Sequence, residues 1–307
     1  MSTEEKPLPF IYQFMAGAMA GISEVLIMYP LDVVKTRMQL QVGIGAQAEY
    51  KGVIDCFSKM IKREGFGSLY RGIVPPILME APKRATKFAA NDEWGKFYRK
   101  QFGTEKMTQS LSILTGATAG ATESLVVVPF ELIKIRLQDK NSKYKNARDV
   151  LKNTIKGEGI VSLYNGLEAT MWRQSIWNAG YFGVIFQVKS LLPKPTNQSE
   201  KTRNDLISGF VGGTVGTMLN TPFDVIKSRI QSTPRIPGTP PKYNWALPSL
   251  VKVFSEGSFR AMYKGFVPKV LRLGPGGGIM LVVYNTTMNF FRGIYYKKEK
   301  PARKNEN

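Results

Sequence analysis

The sequence predicts an all-α membrane protein whose six spanning helices form three pseudo-symmetric two-helix repeats, each with a short helix in its loop. Three observations predict it. The first is a stretch that occurs three times, Pro30-Leu31-Asp32-Val33-Val34-Lys35-Thr36-Arg37-Met38-Gln39, Pro129-Phe130-Glu131-Leu132-Ile133-Lys134-Ile135-Arg136-Leu137-Gln138 and Pro222-Phe223-Asp224-Val225-Ile226-Lys227-Ser228-Arg229-Ile230-Gln231. Its prolines lie 99 and 93 residues apart, a period too long for a solenoid and suited to two helices and a loop. The second is a pair of motifs that recurs in the same order: Glu64-Gly65, Glu158-Gly159 and Glu256-Gly257, followed by Tyr70-Arg71-Gly72, Tyr164-Asn165-Gly166 and Tyr263-Lys264-Gly265. The third copy carries one extra residue between its Glu and its Tyr. The third observation is hydropathy. Residues 206–223 and 273–291 are uncharged runs of 18 and 19 residues, within the membrane-spanning range of about 17–25.

Composition excludes several classes of function. The chain of 307 residues has no His and one Cys, Cys56. Within one chain that leaves no disulfide, no Cys/His metal site and no His-based catalytic pair or triad, and no cofactor is expected. The mean hydropathy of −0.17 reads as soluble only because apolar segments alternate with basic loops. The net charge of +20 fits an anionic lipid surface at least as well as nucleic acid, and the apolar runs argue against a soluble nucleic-acid binder. The opening MSTEEKPLP carries acids and no Arg-rich amphipathic pattern, so no cleavable presequence is expected.

In chain order, 10–39 reads as a helix with Gly17 and Gly21 at GxxxG spacing, as do Gly116/Gly120 and Gly209/Gly213 later. Small residues so spaced let helices approach closely in lipid. Glu24 and Glu123 each lie six residues before a signature proline, and an acid inside a span must face a partner or water. A short amphipathic helix is expected near 53–62 and a second span over 72–98. That span carries Glu80, Lys83, Arg84 and Lys87 on one helical face, which in a membrane must line a water-filled cavity. Further spans are expected over 108–138, 168–191, 204–231 and 266–292. The connector at 193–195 is a linker, the proline-rich loop 233–241 should be irregular, and the charged tail from Lys297 should be disordered. The repeats divide at 1–103, 104–196 and 197–307.

The threefold signature with its Glu-Gly and Tyr-x-Gly motifs resembles the mitochondrial carrier family over essentially the whole chain. That resemblance implies a multi-pass transporter of the mitochondrial inner membrane, not an enzyme, acting as a monomer, with its termini in the intermembrane space and its short helices on the matrix side. One signature alone would be read as a local i,i+3 ion pair worth a few tenths of a kcal/mol. Three copies suggest a ring. The resemblance assigns that ring as a matrix gate: Asp32 with Lys134, Glu131 with Lys227, and Asp224 with Lys35, braced by Gln39, Gln138 and Gln231. The opposing cytoplasmic gate of the family is reduced here to Glu93 and Lys96, because 185–189 lacks the acid and 284–288 lacks both charges.

The family's substrate level, counted back about 13 positions from that gate, falls on Met79 or Glu80, on Arg173 with Gln174, and on Arg272. Glu80, Lys83, Arg84, Lys87, Arg173, Gln174 and Arg272 are therefore the expected substrate-binding residues. Arg presents a planar fork that matches a carboxylate two donors at a time. Lys83 or Arg84 has a plainer reading, as a charge that balances Glu80. The runs Glu80-Ala81-Pro82-Lys83-Arg84-Ala85-Thr86-Lys87-Phe88 and Arg272-Leu273-Gly274-Pro275-Gly276-Gly277 resemble the branch of the family that exchanges 2-oxodicarboxylates, such as 2-oxoadipate and 2-oxoglutarate. Carriers of citrate, dicarboxylates or nucleotides remain open alternatives. The glycine-rich run lacks the Gly-Lys-Ser/Thr of a phosphate loop. Family resemblance also places anionic lipid, cardiolipin, at Gly72, Gly166 and Gly265, where free N–H groups at a helix N-terminus attract phosphate.

Overall fold

A computed structural model of the chain describes residues 8–41, 48–235 and 238–302. It has six long helices and three short ones. The long helices are α1 (Phe10–Leu40), α3 (Val74–Gln101), α4 (Gln109–Gln138), α6 (Leu167–Leu191), α7 (Gln198–Ser232) and α9 (Phe266–Ala302). The short ones, α2 (Val53–Glu64), α5 (Ala147–Glu158) and α8 (Ala246–Met262), each follow an odd-numbered member of the six in chain order. Neighbouring long helices pack in the ring order α1, α3, α4, α6, α7, α9, and α9 closes back on α1. Three helices, α1, α4 and the stretch Phe266–Tyr295 of α9, are long and apolar enough to cross a membrane by length and composition. The other three, of 28, 25 and 35 residues, are less apolar: α7 keeps the uncharged run 206–223 but is rich in Gly and Thr, and α3 is interrupted by charge. In α3 that charge is the 80, 83, 84, 87 face, which the fold turns toward the middle of the ring: the Arg84 guanidinium lies 3.7 Å from the Met280 sulfur of α9.

The signature prolines 30, 129 and 222 all lie inside continuous helices, where each removes one backbone hydrogen bond. Caps mark several starts. Thr108, Asn146 and Asn197 accept from backbone N–H groups of α4, α5 and α7, the ordinary satisfaction of orphan donors. The cap at Asn197 begins α7 at Gln198, several residues before the start expected near 204. The tail also differs from expectation. From Lys297 the chain continues α9 to Ala302 instead of leaving regular structure, while 303–307 lie outside the described residues. The irregular loop 233–241 is as expected where described; 236–237 lie outside.

Close packing uses small residues, with one correction of register. A Cβ on Gly21 would stand 2.1 Å from Glu80 Oε1, and one on Gly116 would stand 2.8 Å from the Phe182 ring. Both match the GxxxG reading. In α7 the tight approach falls at Gly212 and Gly216, against the Tyr181 and Trp177 carbonyls at 3.2 and 3.0 Å, and not at Gly209/Gly213, whose nearest neighbours are 3.7 Å or more away. The backbone-to-backbone contact there faces Gly180 of α6, so the face is set by the partner's glycine.

Each short helix packs its apolar side under its own repeat. Cys56 and Met60 of α2 are buried with Tyr29, Val33 and Val34 of α1. Burial pushes the Cys56 thiol up to about 12, so it is an inert core group. The third repeat absorbs its extra residue at the end of α8. Gly65 and Gly159 take φ of 81° and 84° directly after their Glu residues. In the third copy Gly257 stays helical and Ser258 takes the turn, at φ 57° and ψ −172°. That region is nearly reserved for glycine and costs another residue about 1–3 kcal/mol. Ser258→Gly removes that cost at the expense of about 0.5–1 kcal/mol of unfolded-chain entropy. The substitution is expected to raise the thermal midpoint of the detergent-solubilised protein, and Ser258→Val to lower it; a lower midpoint for the glycine variant would show the turn to be unstrained.

Candidate substrate site and ion-pair ring

At the end of the bundle that bears α2, α5 and α8, the three signatures meet. Lys134 donates to Asp32 at 3.0 Å, and the Lys227 and Lys35 ammoniums form ion pairs with Glu131 at 2.7 Å and with Asp224 at 2.6 Å. Each pair joins one repeat to the next and closes a cycle, with the partners that the sequence repeats suggested. The acid and the Lys of one signature are three residues apart, yet none pairs within its own helix. The proline just before each acid belongs to the stretch that brings the three helices together at this end.

The signature arginines do a different job. Arg37 forms a two-donor fork on Glu64 at 2.9 and 2.7 Å, and Arg136 forks onto Glu158 at 2.5 and 2.9 Å. Arg229 reaches Glu256 at 3.4 Å and Tyr243, whose hydroxyl donates to the same carboxylate at 2.6 Å. Each pair ties a signature helix to the short helix of its own repeat. Fork geometry with a buried guanidinium is the strong form of an ion pair. The sequence held this signal, because both the Arg and the Glu-Gly recur in all three repeats.

The expected braces divide. Gln39 donates to Asp224 at 2.9 Å and accepts from Ser228 at 2.8 Å. Gln138 donates to the Tyr29 hydroxyl at 2.9 Å and touches no ring acid. The ring of Tyr29 in turn lies under the Lys134 ammonium at 5.3 Å, so any support from Gln138 to Lys134 passes through Tyr29. Gln231 is fully buried and neither polar atom of its amide has a hydrogen-bond partner among the described residues. Only one of the three glutamines therefore contacts a ring pair.

The positive-φ glycines Gly72, Gly166 and Gly265 (φ 78–81°) sit where helices of adjacent repeats nearly touch. Their added Cβ atoms would meet Leu137, Gln231 and Gln39 at 3.0 Å. The residues just before them are clips in two cases. Arg71 donates to the Ser142 and Tyr144 carbonyls of the second repeat, and Lys264 donates to the Gln41 carbonyl of the first at 3.0 Å. Asn165, at the same place in the second repeat, is too short, and its amide nitrogen has no partner among the described residues.

One level further into the bundle lie the expected substrate-binding residues. Arg272 contacts Asp32 at 2.5 Å and Glu24 at 2.8 Å. Arg173 lies between Glu131 and Asp224 at 3.7 and 3.8 Å. Gln174 packs its Cβ near Gly120 of α4. On α3, Arg84 donates to Glu80 at 2.7 Å and Lys83 stands 3.8 Å from it, which is the plainer charge-balancing reading of those cations. Lys87 has no ion pair within 4 Å among the described residues and is exposed. Lys269, which no repeated motif marks, stands 3.4 Å from Asp224 and donates to Asn220 at 2.7 Å. The sequence marks Glu24 as an acid in need of a partner, and Arg272 is that partner.

At the opposite end Lys96 pairs with Glu93 at 3.2 Å and with Asp92 at 2.6 Å. Both contacts are exposed and lie within α3, so the pair joins no two helices. Among the described residues the inter-helix ion pair at that end is Lys189 of α6 with Asp205 of α7 at 2.7 Å, about half exposed. No sequence pattern marks this pair, because Asp205 lies outside the motif that carries the family's acid.

Comparison with known proteins accords with this arrangement. The family model described as "Mitochondrial carrier protein" matches residues 6–102, 105–196 and 198–295. A mitochondrial citrate transporter D from Aspergillus niger is 64% identical, with 94% of this chain and 97% of that protein covered. Mitochondrial 2-oxodicarboxylate carrier 2 from Saccharomyces cerevisiae is 61% identical, covering 95% and 97%, and the human mitochondrial 2-oxodicarboxylate carrier is 37% identical, covering 91% and 94%. With three repeats joined by a closed cycle of inter-repeat ion pairs, this chain belongs to the mitochondrial carrier family.

Proposed function

We propose that the chain exchanges 2-oxodicarboxylates across the mitochondrial inner membrane by alternating access. The observation that carries the reading is that the guanidiniums at the substrate level face the ring acids themselves: Arg272 is hydrogen-bonded to Asp32, and Arg173 stands 3.7 and 3.8 Å from Glu131 and Asp224. A dianion that binds both arginines competes for them with Asp32, Glu131 and Asp224. Its carboxylates thus weaken the acids' hold in the same step that fills the site. That is the differential interaction a ligand needs to shift a two-state equilibrium. The repeats divide at 1–103, 104–196 and 197–307, the ring faces the matrix, and a monomer suffices because α9 closes the bundle on α1.

Among the described residues the opposite end has no comparable lock. The Glu93–Lys96 pair stays within one helix and Lys189–Asp205 is solvated, and such pairs contribute about 0–1 kcal/mol. Without substrate the protein rests with the ring shut and the cavity accessible from the intermembrane space. Empty return must break the ring uncompensated, so exchange is favoured over one-way transport. Citrate is the second reading, favoured by the 64% identical relative and by the number of cations around the site. Cardiolipin is proposed at the turns of Gly72, Gly166 and Gly265. The α6 start offers the freest amides, since α3 begins with Pro75 and Pro76, which have no N–H.

Two experiments test this in proteoliposomes with labelled 2-oxoglutarate. Arg173→Ala and Arg272→Ala should each remove about 1.5–3 kcal/mol of charge-assisted bonding, or roughly tenfold to a hundredfold in affinity. Unchanged transport in both would refute the site. Asp32→Lys alone should abolish exchange, since a like charge beside Lys134 in a buried ring costs about 3–5 kcal/mol. Adding Lys134→Asp should restore part of it. A double variant no better than the sum of its singles would show that the pairing does not govern transport.

A further inference from the structure

The three ring acids have a second feature in common. Each is contacted by its ring Lys and by at least one further cation from the even helices α6 and α9. Asp32 has Arg272, Glu131 has Arg173, and Asp224 has Lys269 at 3.4 Å, besides a longer contact with Arg173 at 3.8 Å. By repeat symmetry the third inner cation belongs on α3, at the position of Arg173 and Arg272. There α3 carries Met79. Helix α9 instead supplies two cations one turn apart, Lys269 and Arg272. The positions equivalent to Lys269 in the other repeats, four residues after the turn glycine, are Pro76 and Thr170.

We propose that Lys269 is a third anion-reading residue, which completes an inner triad with Arg173 and Arg272 and takes a substrate carboxylate in exchange for Asp224. The inference rests on the carrier reading above and deepens it. Arg272 is gripped at 2.5 and 2.8 Å by two carboxylates. Lys269 has one longer contact to a carboxylate, and its short bond goes to the neutral amide of Asn220. An ammonium on a four-carbon stem swings between partners more readily than a fork fixed on two. Asp224 keeps Lys35 and Gln39 when Lys269 leaves it, so the exchange loosens the ring without orphaning the acid. Two carboxylates of a dianion use two of the three inner cations, and the third remains for an additional carboxylate. Lys269 thereby sets how many negative charges the site accepts.

The test compares wild type, Lys269→Gln and Lys269→Arg in proteoliposomes, with 2-oxoglutarate and citrate each as external substrate against internal 2-oxoglutarate. Wild-type exchange is measured first, and its absence would overturn the carrier reading itself, whatever Lys269 does. Given exchange, Lys269→Gln is expected to raise the KM for citrate about tenfold, with a smaller rise for 2-oxoglutarate, and Lys269→Arg to recover most of the loss. A purely structural lysine would change Vmax or substrate-independent leak alike for both anions. An unchanged KM and an unchanged citrate-to-oxoglutarate preference in Lys269→Gln would overturn the proposal, as would equal defects in the Gln and Arg variants.

Discussion

Everything else in this molecule depends on opposite charges that meet between repeats at one end of a helical bundle. Removing an acid or a lysine from water is expensive, and a buried pair is roughly neutral only while both partners are present. Asp224, at 1% exposure, is stable where it stands because Lys35, Lys269 and Gln39 converge on it. The same arithmetic makes the closed end conditional. Any event that takes cations from the acids raises the energy of the closed arrangement, and an anion on the arginines above the ring is such an event.

Around that conditional core the structure places fixed attachments. Arg37, Arg136 and Arg229 anchor each short helix to its own signature helix, and these contacts lie within repeats. The contacts that must part for the closed end to open lie between repeats: the three ring pairs, the Gln39 bridge and the clips of Arg71 and Lys264. The seam between the second and third repeats is bonded mainly through backbone groups: Arg136 donates to the Gln231 carbonyl at 3.2 Å, and the Arg235 and Ala246 N–H groups donate to Glu158 and Glu168 at 2.9 and 2.7 Å. There the side-chain amide of Gln231 has no partner among the described residues, and the clip position is Asn165. Rigid repeats with separable seams are what rigid-body switching requires, because packed interfaces have discrete arrangements.

Much of this was legible in the sequence because the chain states it three times. A single Asp32-to-Lys35 spacing reads as a helix-surface pair; repetition turned it into a ring, and the family resemblance named Lys134, Lys227 and Lys35 as the partners. What occurred once was not legible. Lys269 has no counterpart at Pro76 or Thr170, so no pattern marked it. Lys189 and Asp205 pair between α6 and α7 at positions that no repeated motif marks, and the extra residue near Glu256 was visible as spacing while its cost at Ser258 was not. The Arg-to-Glu anchors were overlooked although both halves recur, because the separations differ, at 27 residues for Arg37–Glu64 and 22 for Arg136–Glu158. The glutamines show the reverse: identical sequence positions hold three different environments.

The central claim is that the substrate-free protein is shut at the ring and accessible from the other end. The most direct measurement is side-specific labelling of Met280→Cys, which lies beside Arg84 above the ring. The native Cys56 is buried with its thiol pushed up to about 12, so it stays silent toward a maleimide near neutral pH. In oriented proteoliposomes without substrate, a membrane-impermeant maleimide should react from the side of the chain termini and fail from the side of α2, α5 and α8. Adding 2-oxoglutarate should make the site reactive from both sides. Equal labelling from both sides before substrate is added would contradict the account.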